Sequence, residues 1–174
     1  MKPIPFWRLA AQILELYRAD QDMRRRALRP RGRWNHRIDL RTSQFIKNLL
    51  PYMGWPSRSQ IGVNASRSLA LLIRHVDHDV ALQERCLDLM QVLSRESPGE
   101  VHLSDLAHLV DRICVNRRQP QVYGTQFDEI DGKFVPRPIA DRAHVNRRRR
   151  RMGLGTLKQA TADMYRRYGV PDVR

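Results

Sequence analysis

The chain is poor in lysine: of its 32 basic residues, only Lys2, Lys47, Lys133 and Lys158 are not arginine. Aromatic residues make up 7%, too few to suggest a β-sandwich core. The two cysteines, Cys86 and Cys114, fall in separate helical patterns beside Leu or Ile and belong to no CxxC or other metal-spaced motif. Buried thiols are therefore expected, not a disulfide or a metal site. No apolar run approaches the ~20 residues that cross a bilayer, and Arg8, Glu15 and Arg18 interrupt the N-terminal stretch where a signal peptide needs an apolar core. A cytoplasmic protein with no membrane partner is expected. The sequence also has no nucleophile motif, Gly-rich phosphate loop or HExxH pattern, which argues against covalent catalysis, NTP hydrolysis and zincin chemistry.

What the chain has in excess is positive charge, a net +14. Arginine offers phosphate and carboxylate a planar fork, so nucleic acid or an acidic partner is an expected class of ligand. A purely compositional origin, codon bias in a GC-rich genome, weighs about evenly against it. A length of 174 residues fits a single domain over 1–174, which buries about 70% of its unfolded surface without staples.

Apolar periodicity predicts a mainly α fold of about six to seven helices. Phe6, Leu9, Ile13, Leu16, Tyr17 and Asp20 share one face of a first helix over 5–28, with Pro5 in its first turn and Pro30 and Gly32 beyond its end. Its last polar turn carries Asp20, Gln21 and Arg24, which by spacing alone read as a solvated i,i+3 and i,i+4 set. Residues 29–41 show no period and read as a basic loop. A second helix, capped by Thr42 or Ser43, carries Phe45, Ile46, Leu49 and Leu50 and closes at Pro51 and Gly54. After a turn-rich connection over 55–62, a third helix starting at Asn64 or Ser66 gathers Ala65, Leu69, Leu72, Ile73 and Val76 within about 80° of arc.

That helix runs into Arg74-His75-Val76-Asp77-His78-Asp79. Two histidines three apart on a helix can converge on one ligand, which raises the odds of a functional role, although a lone marginal His is more often a packing residue. Asp79 precedes the apolar series Val80, Leu82, Leu87 and Leu89 and reads as the N-cap of a fourth helix. Ser104 and Asp105 open a fifth, whose apolar line Leu106, Leu109, Val110 and Ile113 is broken by Asp111. An acid there is either exposed or paired, with Arg112 or a histidine of the third helix as partner.

The period then changes. Gln121 to Phe127 alternates, Asp131-Gly132 signals a turn, and Lys133 to Pro136 follows, predicting a short β-hairpin over about 121–136 docked on the helices. Residues 140–174 are expected as a C-terminal helical segment. It contains the run Arg147, Arg148, Arg149, Arg150 and Arg151, which reads by default as solvated.

Gly54-Trp55-Pro56-Ser57-Arg58-Ser59, then Arg74 to Asp79, Leu109-Val110-Asp111-Arg112, Tyr123-Gly124-Thr125-Gln126-Phe127 and Val135-Pro136-Arg137-Pro138-Ile139 together resemble, in that order, a bacterial family of unknown function common in actinobacteria. The resemblance extends from Asp20-Gln21 to Arg149. It implies a mostly helical fold and a polar set of Asp20, Gln21, Arg24, His75, His78, Asp79, Asp111, Arg112, Gln121, Tyr123 and Gln126. Val80 departs from the pattern, since a proline is usual there, and so does the five-arginine run.

Two functional expectations follow. The first is a small enzyme doing metal-independent, cofactor-free acid–base chemistry on an anionic or peptidic substrate. Its pocket lies between helices one, three and five and the hairpin. His75 serves as acid or base, His78 as its neighbour and Asp111 as orienter, while Asp20, Gln21, Arg24, Arg112, Gln121, Tyr123 and Gln126 hold substrate. A metal on His75 and His78 is disfavoured because no third ligand is recognisable. The second is a binding module without catalysis, in which arginines at 24–26, 29–41 and 147–151 track the phosphates of a nucleic acid or meet an acidic partner.

Overall fold

A computed structural model describes residues 4–169. Among them are seven α-helices, a short 3-10 turn and one two-stranded antiparallel sheet, so the expected mainly α class with a single hairpin is what forms. The chain packs as two compact units, the first up to Asp105 and the second from Leu106.

In the first unit, α1 (Phe6–Ala27), α2 (His36–Met53), α3 (Arg58–Arg74) and α4 (Val80–Glu96) follow one another. Helix α1 packs chiefly on α3, and α2 packs on both. Leu9, Ile13, Leu16 and Met23 of α1 are buried, as are Leu69, Leu72 and Ile73 of α3. Burying each such side chain contributes about 1.5–3 kcal/mol. One position on this ladder is not apolar: Asp20, 1% exposed, stands between Leu16 and Met23.

Helix α2 begins earlier than its apolar pattern predicts. Asn35, not Thr42 or Ser43, is the N-cap and accepts the Arg37 N–H at 3.1 Å, so the loop shrinks from 29–41 to 28–35. The first two turns bury Asp39, Thr42 and Ser43 in place of hydrophobes. A face that packs through polar groups carries no hydrophobic period. Helix α3 also starts early, at Arg58, where Ser57 and Gln60 form a reciprocal capping box. A kink at Gly62 (φ 80°) separates its first turn from the part the apolar series marks.

Helix α5 (Leu103–Asn116) leads into the second unit. Strand β1 (Phe127–Ile130) pairs with β2 (Lys133–Pro136) in the register Phe127 to Pro136 through Ile130 to Lys133. The hairpin is shorter than predicted, because residues 121–126 form no strand and only Gln121 makes an isolated bridge, to Ile139. A 3-10 turn (Arg142–His144), α6 (Val145–Arg151) and α7 (Leu157–Tyr168) complete the described chain. Helix α7 is opened by a Thr156–Gln159 capping box and packs on β2, where Phe134 meets the Tyr165 ring edge-on at 5.1 Å.

Candidate active site

Asp20 is the centre of a buried polar cluster in the first unit. Its Oδ1 and Oδ2 lie 3.0 and 2.9 Å from His75 Nδ1. Arg24 Nε donates to Oδ1 at 2.8 Å, and Gln21 Nε2 donates to Oδ2 at 2.8 Å. Arg24 reaches on to Asp39 (Nη2 to Oδ1, 3.6 Å), whose other oxygen accepts the Trp34 indole N–H at 2.9 Å. The Arg24 guanidinium sits 4.7 Å over the Trp34 ring. The spacing of Asp20, Gln21 and Arg24 suggests a solvated surface set. Here instead the carboxylate is buried, because one turn of α1 turns it toward the end of α3.

The position of His75 is fixed from several sides. Helix α3 ends at Arg74, His75 occupies its C-cap, and Val76 is fully buried behind it. From α4, the buried Gln83 amide donates to the Ile73 and Arg74 carbonyls at 3.1 and 3.4 Å, satisfying acceptors that a helix end leaves open. Gln83 is a positioning residue that sequence pattern did not single out. Asp79 caps α4 as expected, accepting the Leu82 N–H at 3.0 Å, and meets Lys47 Nζ at 2.6 Å. The Lys47 contact is the main cause of the lowered Asp79 pKa.

Because the helix stops at Arg74, the helical i,i+3 convergence of His75 and His78 does not arise. His75 keeps 19% of its side chain exposed beside Asp20, while His78 is exposed in the turn before α4.

The electrostatics assign the proton. Burial raises the Asp20 pKa, but the His75 contact and the Arg24 charge outweigh it and hold the carboxyl below its ordinary value. Burial pulls the His75 pKa below its ordinary 6.5, helped by Arg24 and Arg74 and opposed by Asp20. An ionised carboxylate only accepts, so the neutral ring must carry its hydrogen on Nδ1. The lone pair is then on Nε2, the nitrogen Asp20 does not hold. This is the arrangement in which a carboxylate orients an imidazole for proton transfer. The carboxylate that stands on the His75 ring is that of Asp20. Gln21 also lines a shallow groove along α1 with Tyr17, Arg18, Asp22 and Arg25.

The rest of the predicted set lies in the second unit, where much of it builds a loop. Asp111, 0% exposed, accepts the backbone N–H groups of Val122, Tyr123 and Thr125 at 2.8–2.9 Å. Its partners are thus backbone amides, where the sequence suggested Arg112 or a histidine. Gln121, also fully buried, donates to the Gln126 and Arg137 carbonyls and accepts the Gln126 N–H, each at 2.9 Å. These bonds explain why 121–126 alternates in sequence without being a strand. Arg112 Nη1 donates to Gln126 Oε1 at 3.3 Å, and Tyr123 is half-buried.

The arginine run supplies the other side of the same loop. Arg149, 3% exposed, donates to the Tyr123, Gly124 and Gly155 carbonyls at 2.6–3.1 Å. Arg148 donates to the Val122 and Ala140 carbonyls. Arg147, Arg150 and Arg151 are exposed. Gly124 sits at φ 70°, where an added Cβ would meet Ile139 and Leu157 side-chain atoms at 2.7 and 2.9 Å, so the loop closes tightly only with glycine. Among the described residues, no group of three or more His, Cys, Asp or Glu side chains is placed to hold a metal ion.

The fold is mainly α, and its first unit holds the buried Asp20 carboxylate on the part-buried His75 ring. A family model matches residues 11–171, and the chain belongs to that family, DUF6624, a family of unknown function. Comparison with curated proteins and with solved structures gives no match.

Proposed function

We propose that the first unit carries an acid–base centre, with His75 Nε2 taking a proton from a small anionic or peptidic substrate and returning it without a metal or cofactor. The observation that carries this reading is the buried Asp20 carboxylate on His75 Nδ1, which selects one tautomer and leaves Nε2 as a base. A His75 pKa below its ordinary value keeps the ring neutral at neutral pH, with a lone pair to accept a proton. Asp20 and Arg24 are positioning residues. Gln21, which touches Asp20 and lines the α1 groove, is the natural contact to substrate, with Arg18 and Arg25 meeting its negative charge. Asp111 and Gln121 are committed to loop backbone and take no part in this reading, and neither does the exposed His78. A cytoplasmic bacterial setting accords with the motif resemblance and with two cysteines that remain free thiols.

The test is a mass-spectrometric screen in which the purified protein is incubated with mixed phosphorylated, carboxylated and peptidic metabolites. The expected outcome is depletion of one compound by the wild type, with turnover reduced about 100-fold or more in His75→Gln. Asp20→Asn should lower kcat more than it raises KM. Identical metabolite profiles for wild type and His75→Gln would remove the proposal.

A further inference from the structure

The segment joining α1 to α2 holds the densest positive charge in the first unit. Eight arginines fall in Arg24–Arg41, against a single carboxylate, Asp39. Asp39 is buried and already held by Trp34 and Arg24, so it neutralises little of the surface. Arg26, Arg29, Arg31, Arg33 and Arg37 are exposed, and Arg25 and Arg41 are exposed although they pair with Asp22 and Glu15. The loop folds back on the last turn of α1: Gly32 N donates to Arg29 O at 2.8 Å, and an added Cβ on Gly32 would strike Arg26 O and Ala27 O. The loop backbone is therefore held against the end of α1. Arg37 stands in the first turn of α2 at the positive end of the helix dipole, where the acidic residue of that turn, Asp39, is buried and engaged by Trp34 and Arg24.

Trp34 projects from this collar 42% exposed. Arg24 covers one face of its ring, and its N–H is fixed on Asp39, so the indole is oriented before any ligand arrives. An ordered, half-open aromatic ring among arginines suits a stacked base flanked by phosphates. We propose that this collar, Arg25 to Arg41 with Trp34 at its centre, binds single-stranded nucleic acid with little sequence preference. A surface for acidic peptide would use the arginines but has no need of an oriented indole. The inference requires nothing of His75, although Arg24, which covers the indole, and Arg25 also serve the acid–base reading.

Fluorescence anisotropy with a labelled oligo(dT) of about 15 nucleotides tests it, a length set by the footprint of such sites. Binding near 50 mM salt is expected to weaken by at least about tenfold near 200 mM. The triple variant Arg29→Ser, Arg31→Ser, Arg33→Ser should lose about tenfold in affinity and flatten the log–log salt slope by about 2. Arg147→Ser, Arg150→Ser, Arg151→Ser removes the same charge from exposed residues outside the collar and should change affinity by less than about threefold. Trp34→Phe should retain binding, whereas Trp34→Ala should weaken oligo(dT) at least about fivefold but not duplex of equal length, with a melting curve confirming that each variant is folded. Equal losses from the two triple variants, no dependence on Trp34, or tighter binding of polyglutamate than of oligo(dT) would overturn it.

Discussion

At the scale of single residues, the account rests on one carboxylate in an apolar row. Asp20 occupies a position on α1 that its neighbours Leu16 and Met23 would fill with a hydrophobe, and its burial is tolerated because His75, Arg24 and Gln21 all donate to it. Asp20→Ala removes the acceptor and leaves Arg24 beside Asp39 and Trp34 without its main partner. A loss of about 3 kcal/mol in urea unfolding is expected, far above that of a surface ion pair. The pH dependence has a fixed sign. Both His75 and Asp20 have folded pKa values below their ordinary 6.5 and 3.8, so the unfolded chain binds the extra protons. Their contribution is complete above about 6.5. It is lost first through His75 as pH falls below that, and then through Asp20 below 3.8. In Asp20→Ala the His75 partner that opposes this fall is gone, so the His75 midpoint should move further down. Asp20 was visible in sequence as a member of the inner face and His75 as the end of an apolar run. Their union was not, since 55 residues separate them and no spacing rule reports a contact between two helices.

At the scale of elements, the loop after α5 is held from two sides, its N–H groups by Asp111 and its carbonyls by Arg148 and Arg149. Asp111→Ala should speed hydrogen exchange at Val122, Tyr123 and Thr125 and cost about 3 kcal/mol, the usual range for an acceptor of charge-assisted bonds. Arg149→Lys should cost about 2 kcal/mol, because a single ammonium cannot span three carbonyls, while Arg150→Ala stays within about 0.5 kcal/mol. Thermal or urea unfolding of the three variants checks the order. One cap was legible, since Asp79 stands where local sequence places it, whereas the caps of α2 and α3 are Asn35 and Ser57 and lie outside the apolar series that mark those helices. What escaped notice were elements stabilised by distant polar groups. The start of α2 packs through Asp39, and the 121–126 loop bonds to side chains on α5 and α6, so neither bears a hydrophobic period that reports its conformation.

At the scale of the whole molecule, a net charge of +14 does not act as a uniform coat. Two of the five consecutive arginines turn inward on carbonyl groups, whereas those between Arg25 and Arg41 stay in solvent. Composition announced an arginine-rich protein but could not say which arginines build the fold and which are left for a partner, because that depends on where unpaired carbonyls lie in space. The functional proposal depends on a narrower point, the protonation state of one imidazole. Long-range ¹H–¹⁵N NMR of the His75 ring across neutral pH measures it directly. The account predicts the Nδ1–H tautomer with a free Nε2 lone pair at neutral pH, and a titration midpoint below the ordinary value of 6.5. An Nε2–H tautomer, or a midpoint at or above that value, would contradict it.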